Sequence, residues 1–162
     1  MAFSSTRAII GGGGGGAGNP NAIFGYGNAS SGKSSVTNIV SSSGVVASDT
    51  TGVGTARYGI AAAGYGSDKA IFAFGYVGGG TYPQVSNLVS NSGVVTTDTS
   101  IVGQGRRNLA AADYGSDKAI FGYGNTGSSV SLTNLVNSSG GVSTDTTGVG
   151  TARDTLGGAS YG

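Results

Sequence analysis

The stretch Lys69-Ala70-Ile71-Phe72-Ala73-Phe74-Gly75-Tyr76, followed by Val85-Ser86-Asn87-Leu88-Val89, decides the fold, because the chain carries three versions of it. Ala22-Ile23-Phe24 returns as Ala70-Ile71-Phe72 and Ala119-Ile120-Phe121. Thr37-Asn38-Ile39-Val40 returns as Ser86-Asn87-Leu88-Val89 and Thr133-Asn134-Leu135-Val136. Asp49, Asp98 and Asp145 hold one position of the repeat, and Arg7, Arg57, Arg106 and Arg153 hold another. A fixed period of this length marks a supersecondary unit that buries its faces against its neighbours.

Each unit divides into four strand-sized pieces. In the second unit the expected strands are A, 58–64; B, 69–76; C, 85–90; and D, 94–102, separated by turns at Tyr65-Gly66-Ser67-Asp68 and Asn91-Ser92-Gly93. Short β-branched and aromatic runs between such turns predict a hairpin meander. Gly, Ser, Thr and Val dominate and no 3.6-residue apolar stripe is present, so the chain is expected to be all-β. One domain is expected over 1–162, with units at 7–56, 57–105 and 106–152 and a surplus A-like strand at 153–162.

Composition limits what such a scaffold can do. Among 162 residues there are 34 Gly, 9% charged residues, and no Cys, His, Trp or Glu. General acid–base pairs, His bases and thiolate or imidazole metal ligands are therefore not supplied, and no catalytic residue, cofactor or metal site is expected. A net charge of +1 with eight Lys or Arg gives no footprint for a nucleic-acid backbone or an anionic membrane. The start, Met1 to Gly16, carries too few apolar residues for a signal peptide, and no stretch reaches transmembrane length. Any location outside a cell would then follow from release or from being part of a particle.

The centre of strand A is built from small residues: Ala61-Ala62-Ala63-Gly64, Ala110-Ala111-Ala112, Gly157-Gly158-Ala159 and the run Gly11 to Gly16. Inner strands crowding round a common axis need such residues, although the last run also fits a flexible linker.

Arg57-Tyr58-Gly59-Ile60-Ala61, then Asp68-Lys69-Ala70-Ile71-Phe72, then Val85-Ser86-Asn87-Leu88-Val89, then Asp98 and a close on Gly105-Arg106, resembles a kelch repeat. It is particularly similar to the low-charge kelch-like repeats of bacteriophage tail and fibre proteins. Gly25-Tyr26, Gly75-Tyr76 and Gly122-Tyr123 stand at the place of that family's Gly-Gly pair. The resemblance implies β-propeller blades of four strands and a virion-associated, extracellular role. Propellers close with about four to eight blades, so three blades imply completion by oligomerisation, a six-bladed homodimer first, with a solenoid or β-prism as the alternative.

Three sets of residues were candidates for chemistry. Gly27 to Ser34 fits the phosphate-binding pattern G-x-x-x-x-G-K-[ST], but a strand and not a helix is expected after it. The B–C loops, carrying Lys33, Tyr82 and Asn125, differ between units and are the candidate sites for a host glycan or a neighbouring virion protein. Asp49, Asp98 and Asp145 with Arg57, Arg106 and Arg153 recur in every unit, which points to structural ion pairs or turn capping rather than to a calcium site. The expected function is a non-enzymatic virion structural or receptor-binding protein; a lectin-like module with a sugar pocket per blade, or a filament or capsid-cement subunit, are the alternatives.

Overall fold

The computed structural model describes residues 21–161. Arg7, the Gly11 to Gly16 run and the first A-like segment lie outside the described residues. All described elements are β: β1 (Ala22–Ala29), β2 (Gly32–Val40), β3 (Ala61–Tyr65), β4 (Lys69–Ala73), β5 (Val85–Val89), β6 (Thr99–Ser100), β7 (Ala110–Tyr114), β8 (Lys118–Gly122) and β9 (Thr133–Val136). They form three antiparallel sheets in the order β1-β2, β3-β4-β5-β6 and β7-β8-β9, one sheet per repeat. Consecutive strands are neighbours throughout, so each unit is a meander of local hairpins.

Among the described residues only the second unit shows four strands. The expected strand D, 94–102, shrinks to β6 and a single bridge between Val89 and Val95, and in the first and third units it survives as the bridges Val40 to Val46, Thr37 to Thr50, Val136 to Val142 and Thr133 to Thr146. Its residues are mostly exposed and rich in Ser, Thr and Gly. A polar outermost segment with water on its open side gains little from a regular ladder. The first unit departs differently: β1 runs on to Ala29 and pairs with β2 across a turn at Ser30 and Ser31, with a bulge between Gly25 and Gly27. The phosphate-binding pattern of Gly27 to Ser34 is therefore a β-hairpin, with no helix terminus to meet a phosphate.

Strand faces divide by the two-residue period of the pleat. On β4, Ile71 and Ala73 face the third unit and join Ala61, Ala63, Tyr65, Phe74, Leu109, Ala119, Phe121 and Val136 in one core. Phe72, between them, faces the first unit, where its ring lies 5.2 Å from that of Tyr26. The same contact recurs one unit later, with Phe121 edge-on to Phe74 at 5.7 Å. The sheets thus stack face to face, each burying an apolar face against the next.

The small residues of strand A serve this stacking. A Cβ on Gly158 would come within 2.7 Å of the Ala111 carbonyl, and Asn108 N–H donates to Gly59 O (2.7 Å) while Thr155 N–H donates to Asn108 O (2.8 Å). The A segments of successive units are therefore direct neighbours. Phe121→Ala should lower the unfolding free energy by about 3–5 kcal/mol, since the ring is fully buried between two sheets. The check is the urea midpoint, against an exposed control such as Val94→Ala, which should move it little.

Candidate functional site

The recurring Arg and Asp residues build one socket between each pair of units. Arg57 is fully buried. Its Nε donates to Phe74 O (2.7 Å), one Nη to Thr55 O (2.9 Å) and the other to Asn87 Oδ1 (2.6 Å). The face of the guanidinium lies 4.4 Å from the ring centre of Tyr26 in the preceding unit. Asn87 passes its amide on to Asp98 Oδ1 (3.0 Å) and to Thr96 O (3.0 Å). Asp98 also accepts from Thr55 N–H (3.1 Å) and Thr55 Oγ1 (2.5 Å), and its carboxylate is 3.8 Å from Arg57. Gly54 leaves the room for this: a Cβ there would run into Asp98 and Asn87.

The next junction repeats the arginine–asparagine–aspartate chain, with Gln104 in the place of Thr55 and so without the threonine hydroxyl's bond to the carboxylate. Arg106 donates to Tyr123 O, Gln104 O and Asn134 Oδ1 at 2.7, 3.1 and 2.7 Å, and stacks on Phe74 at 4.3 Å. Asn134 donates to Asp145 Oδ1 (2.9 Å), which lies 3.8 Å from Arg106. In the turn under each arginine, Tyr26, Phe74 and Tyr123 all have φ near +60° and are followed by a glycine. Those glycines donate to Arg57 O, Arg106 O and Arg153 O. Tyr26, Phe74 and Tyr123 are thus equivalent, which keeps Gly25-Tyr26 aligned with Gly122-Tyr123 and moves their counterpart in the second unit two residues back, from Gly75-Tyr76 to Ala73-Phe74.

Burial pushes the Arg106 guanidinium down to about 10, and Asp145 opposes the shift; it stays charged at neutral pH. Burial pushes the Asp98 carboxyl up, but the hydrogen bonds from Thr55 and Asn87 and the charge of Arg57 outweigh it, leaving Asp98 below the ordinary carboxylate range. Asp49, in the first unit, accepts from Asn38 Nδ2 (2.8 Å). Arg153 donates to Thr151 O (3.1 Å) and stacks on Tyr123 at 4.1 Å. The Asp and Arg positions thus act structurally at the two complete junctions. No group of three or more metal-ligating acidic side chains occurs among the described residues.

The three variable-loop candidates occupy a different rim. Lys33 is exposed in the β1–β2 hairpin, and its Nζ lies 3.7 Å from where a Cβ on Gly78 would be. The Tyr82 ring is 4.9 Å from that of Tyr76. Asn125 is bridged to Arg107 and to Ser129, and its Oδ1 accepts from Gly127 N–H (2.9 Å). The three are not in mutual contact. What gathers instead is a cluster that the sequence reading missed: Tyr76 between Tyr82 and an edge-on Tyr58 (5.5 Å), with the Arg107 guanidinium 4.5 Å over the Tyr76 ring. Arg107 Nε is buried there without a hydrogen-bond partner.

Tyr58 and Tyr76 are bridged to each other, as are Arg107 and Asn125 one unit later. The backbone repeats at this rim and the side chains do not. That pairing was the available signal, and a slip of two residues in aligning the second unit concealed it.

No protein-family model matches this chain, and no curated protein sequence matches it. Among solved structures it is similar to the one described as "Structure of YjhT", with a TM-score of 0.58 and 16% identity over 76% of this chain and 41% of that one. The chain therefore spans less than half the length of that neighbour, and the likeness concerns the fold.

Two outcomes are expected from the sockets. Asn134→Ala removes one acceptor from the buried Arg106 and one donor from Asp145 and should cost about 3 kcal/mol in urea unfolding. Asp98 has a depressed folded-state pKa, so its contribution is present above the unfolded value of about 3.9 and is lost as pH falls through the folded value. The urea midpoint should accordingly fall between pH 5 and pH 2 by less in Asp98→Asn than in the parent, on the order of a 1 kcal/mol difference.

Proposed function

We propose that this chain is a non-enzymatic, virion-associated structural or receptor-binding protein, with its three sheets as blades of a β-propeller and the Tyr58–Tyr76–Tyr82–Arg107 rim as its contact surface. The observation that carries the reading is the division of labour among the charged and aromatic groups. Arg57 and Arg106 are spent on holding units together, whereas the rim puts unlike side chains on equivalent backbone positions. A rigid repeat carrying dissimilar surface residues is how scaffolds present binding loops.

Tyr76 and Tyr82 offer half-buried ring faces with a cation alongside, the chemistry that suits the apolar face of a sugar ring or an aromatic side chain. Arg107 Nε supplies an unused donor for a hydroxyl or carboxylate oxygen. Lys33 borders the same rim through Gly78. Placement on a virion, outside the cell, is supported by the resemblance of these low-charge repeats to those of bacteriophage tail and fibre proteins. Partners are then neighbouring virion proteins and a host-surface glycan, not nucleic acid and not a membrane interior.

The test is binding of the purified protein to a glycan array and to intact bacterial surfaces. Tyr82→Ala should weaken the strongest signal about tenfold, equivalent to about 1.4 kcal/mol. Binding to neither surface, or binding unchanged by both Tyr82→Ala and Arg107→Met, would overturn the receptor reading.

A further inference from the structure

The two ends of the stack carry complementary halves of the socket. After the third unit the chain repeats Asp49 to Arg57 residue for residue as Asp145 to Arg153, so the link that joins units one and two is present again. Arg153 already makes the bonds that belong to its own side: its Nη to Thr151 O, its face on Tyr123, and its carbonyl accepting from Gly124 N–H (3.1 Å). Nothing among the described residues supplies the acceptor that Asn87 gives Arg57, and Arg153 is exposed where Arg57 is fully buried. Gly150 keeps the left-handed backbone of Gly54 and Gly103. A Cβ on Gly103 would lie 2.6 Å from Asn134 and 2.7 Å from Asp145, but one on Gly150 would meet only Tyr123 Oη at 3.7 Å. Among the described residues nothing fills this cradle.

The first unit holds the missing half. Asn38 and Asp49 are bonded to each other as Asn87 is to Asp98. No donor among the described residues reaches Asn38 Oδ1. The apolar surfaces match in the same way. Phe72 and Phe121 each pack on the aromatic residue of the preceding unit, but Phe24, at the same repeat position, is 62% exposed. The C–D turns of units two and three sit on the preceding sheet so closely that a Cβ on Gly93 would be 2.8 Å from Ile39, and one on Gly140 2.9 Å from Leu88. Gly44, the first unit's counterpart, has nothing within 4 Å, and Leu135, the third unit's counterpart of Ile39 and Leu88, is 44% exposed.

We propose that the exposed face of the third unit is a head-to-tail joint for the first unit of a second copy of this chain, with Arg153 donating to Asn38 Oδ1 and Tyr26 O of that copy. In this joint Asp49 of the second copy caps Thr151 N–H, Phe24 packs on Tyr123, and Gly44 seats on Leu135. These are the contacts of the two internal junctions, repeated once more between chains. The proposal rests on the reading of the chain as an incomplete repeat assembly. Such a heterologous contact closes when the rotation between copies permits and otherwise extends as a fibre. The competing occupant of Asn38 is Arg7 of the same chain, which holds the arginine position one unit earlier in sequence.

The experiment is molar mass by light scattering over a dilution series, on the parent, Arg153→Ala and Phe24→Ser. Both substituted side chains are exposed in a single chain, so far-UV circular dichroism should stay unchanged. A species of two or more chains is expected, with its dissociation constant raised about 30-fold or more by Arg153→Ala. Because the chain has no cysteine, Asp49→Cys with Thr151→Cys should give an interchain disulfide on oxidation. A single-chain mass at every concentration, or an assembly indifferent to both substitutions as Arg7 in the socket would make it, overturns the proposal. A protein that assembles this way but binds no glycan overturns the receptor reading alone.

Discussion

A guanidinium buried between two sheets is the constraint on which the rest of this structure depends. Removing such a group from water is costly, and the cost is offset only when its donors and its faces are occupied. At Arg57 the five-donor fork reaches a turn carbonyl, the link carbonyl and an asparagine, while Tyr26 covers one face. Each requirement fixes something else. The turn carbonyl belongs to Phe74, held with φ near +60°; the asparagine must sit opposite Phe72 in the β4–β5 register; the link must carry glycine where Asn87 and Asp98 come close. The repeat positions that stand out in the sequence are therefore mostly the parts of one socket.

The socket also explains why a chain with so few charges keeps arginine inside. Sheets stacked through Ile, Phe and Ala faces are held by a non-directional force, and such faces tolerate sliding. Arginine bonds that tie the link, the strand B turn and strand C to one point set the register of one unit on the next. That is the use of buried polar groups best supported elsewhere, in fixing register rather than in adding stability. Division of roles follows: the Arg, Asn and Asp of the two complete junctions are the same, whereas the rim that carries Tyr58, Tyr76, Tyr82 and Arg107 puts unlike side chains on equivalent backbone positions.

Much of this was legible in the sequence and some was not, for physical reasons. The period, the all-β class and the small residues of strand A follow from spacing and residue type. Asn87 and Asn134 were quoted in the repeat but not singled out, because their role depends on an arginine about thirty residues away that only the fold brings within 2.6 and 2.7 Å. The rim cluster was hidden by taking Gly75-Tyr76 as the counterpart of Gly25-Tyr26: aligned two residues differently, Tyr76 matches Asn28 and Asn125, and the loss of repetition at that position becomes visible. Strand D was overread, since alternation in a Ser- and Thr-rich edge gives the pattern of a strand without the buried face that would hold one.

Units of this kind carry apolar surface on the faces that stack, and a face without a neighbouring unit would present that surface to water. Repeat proteins commonly meet this with atypical terminal units whose outer faces are polar. Here the outer face of the third unit is not polar: Leu135 and Tyr114 are exposed there where Leu88 and Tyr65 are partly or fully covered one unit earlier. The link beyond it is a copy of an internal link rather than a cap. A unit that keeps both the apolar face and the arginine of an internal junction has the character of an interior unit.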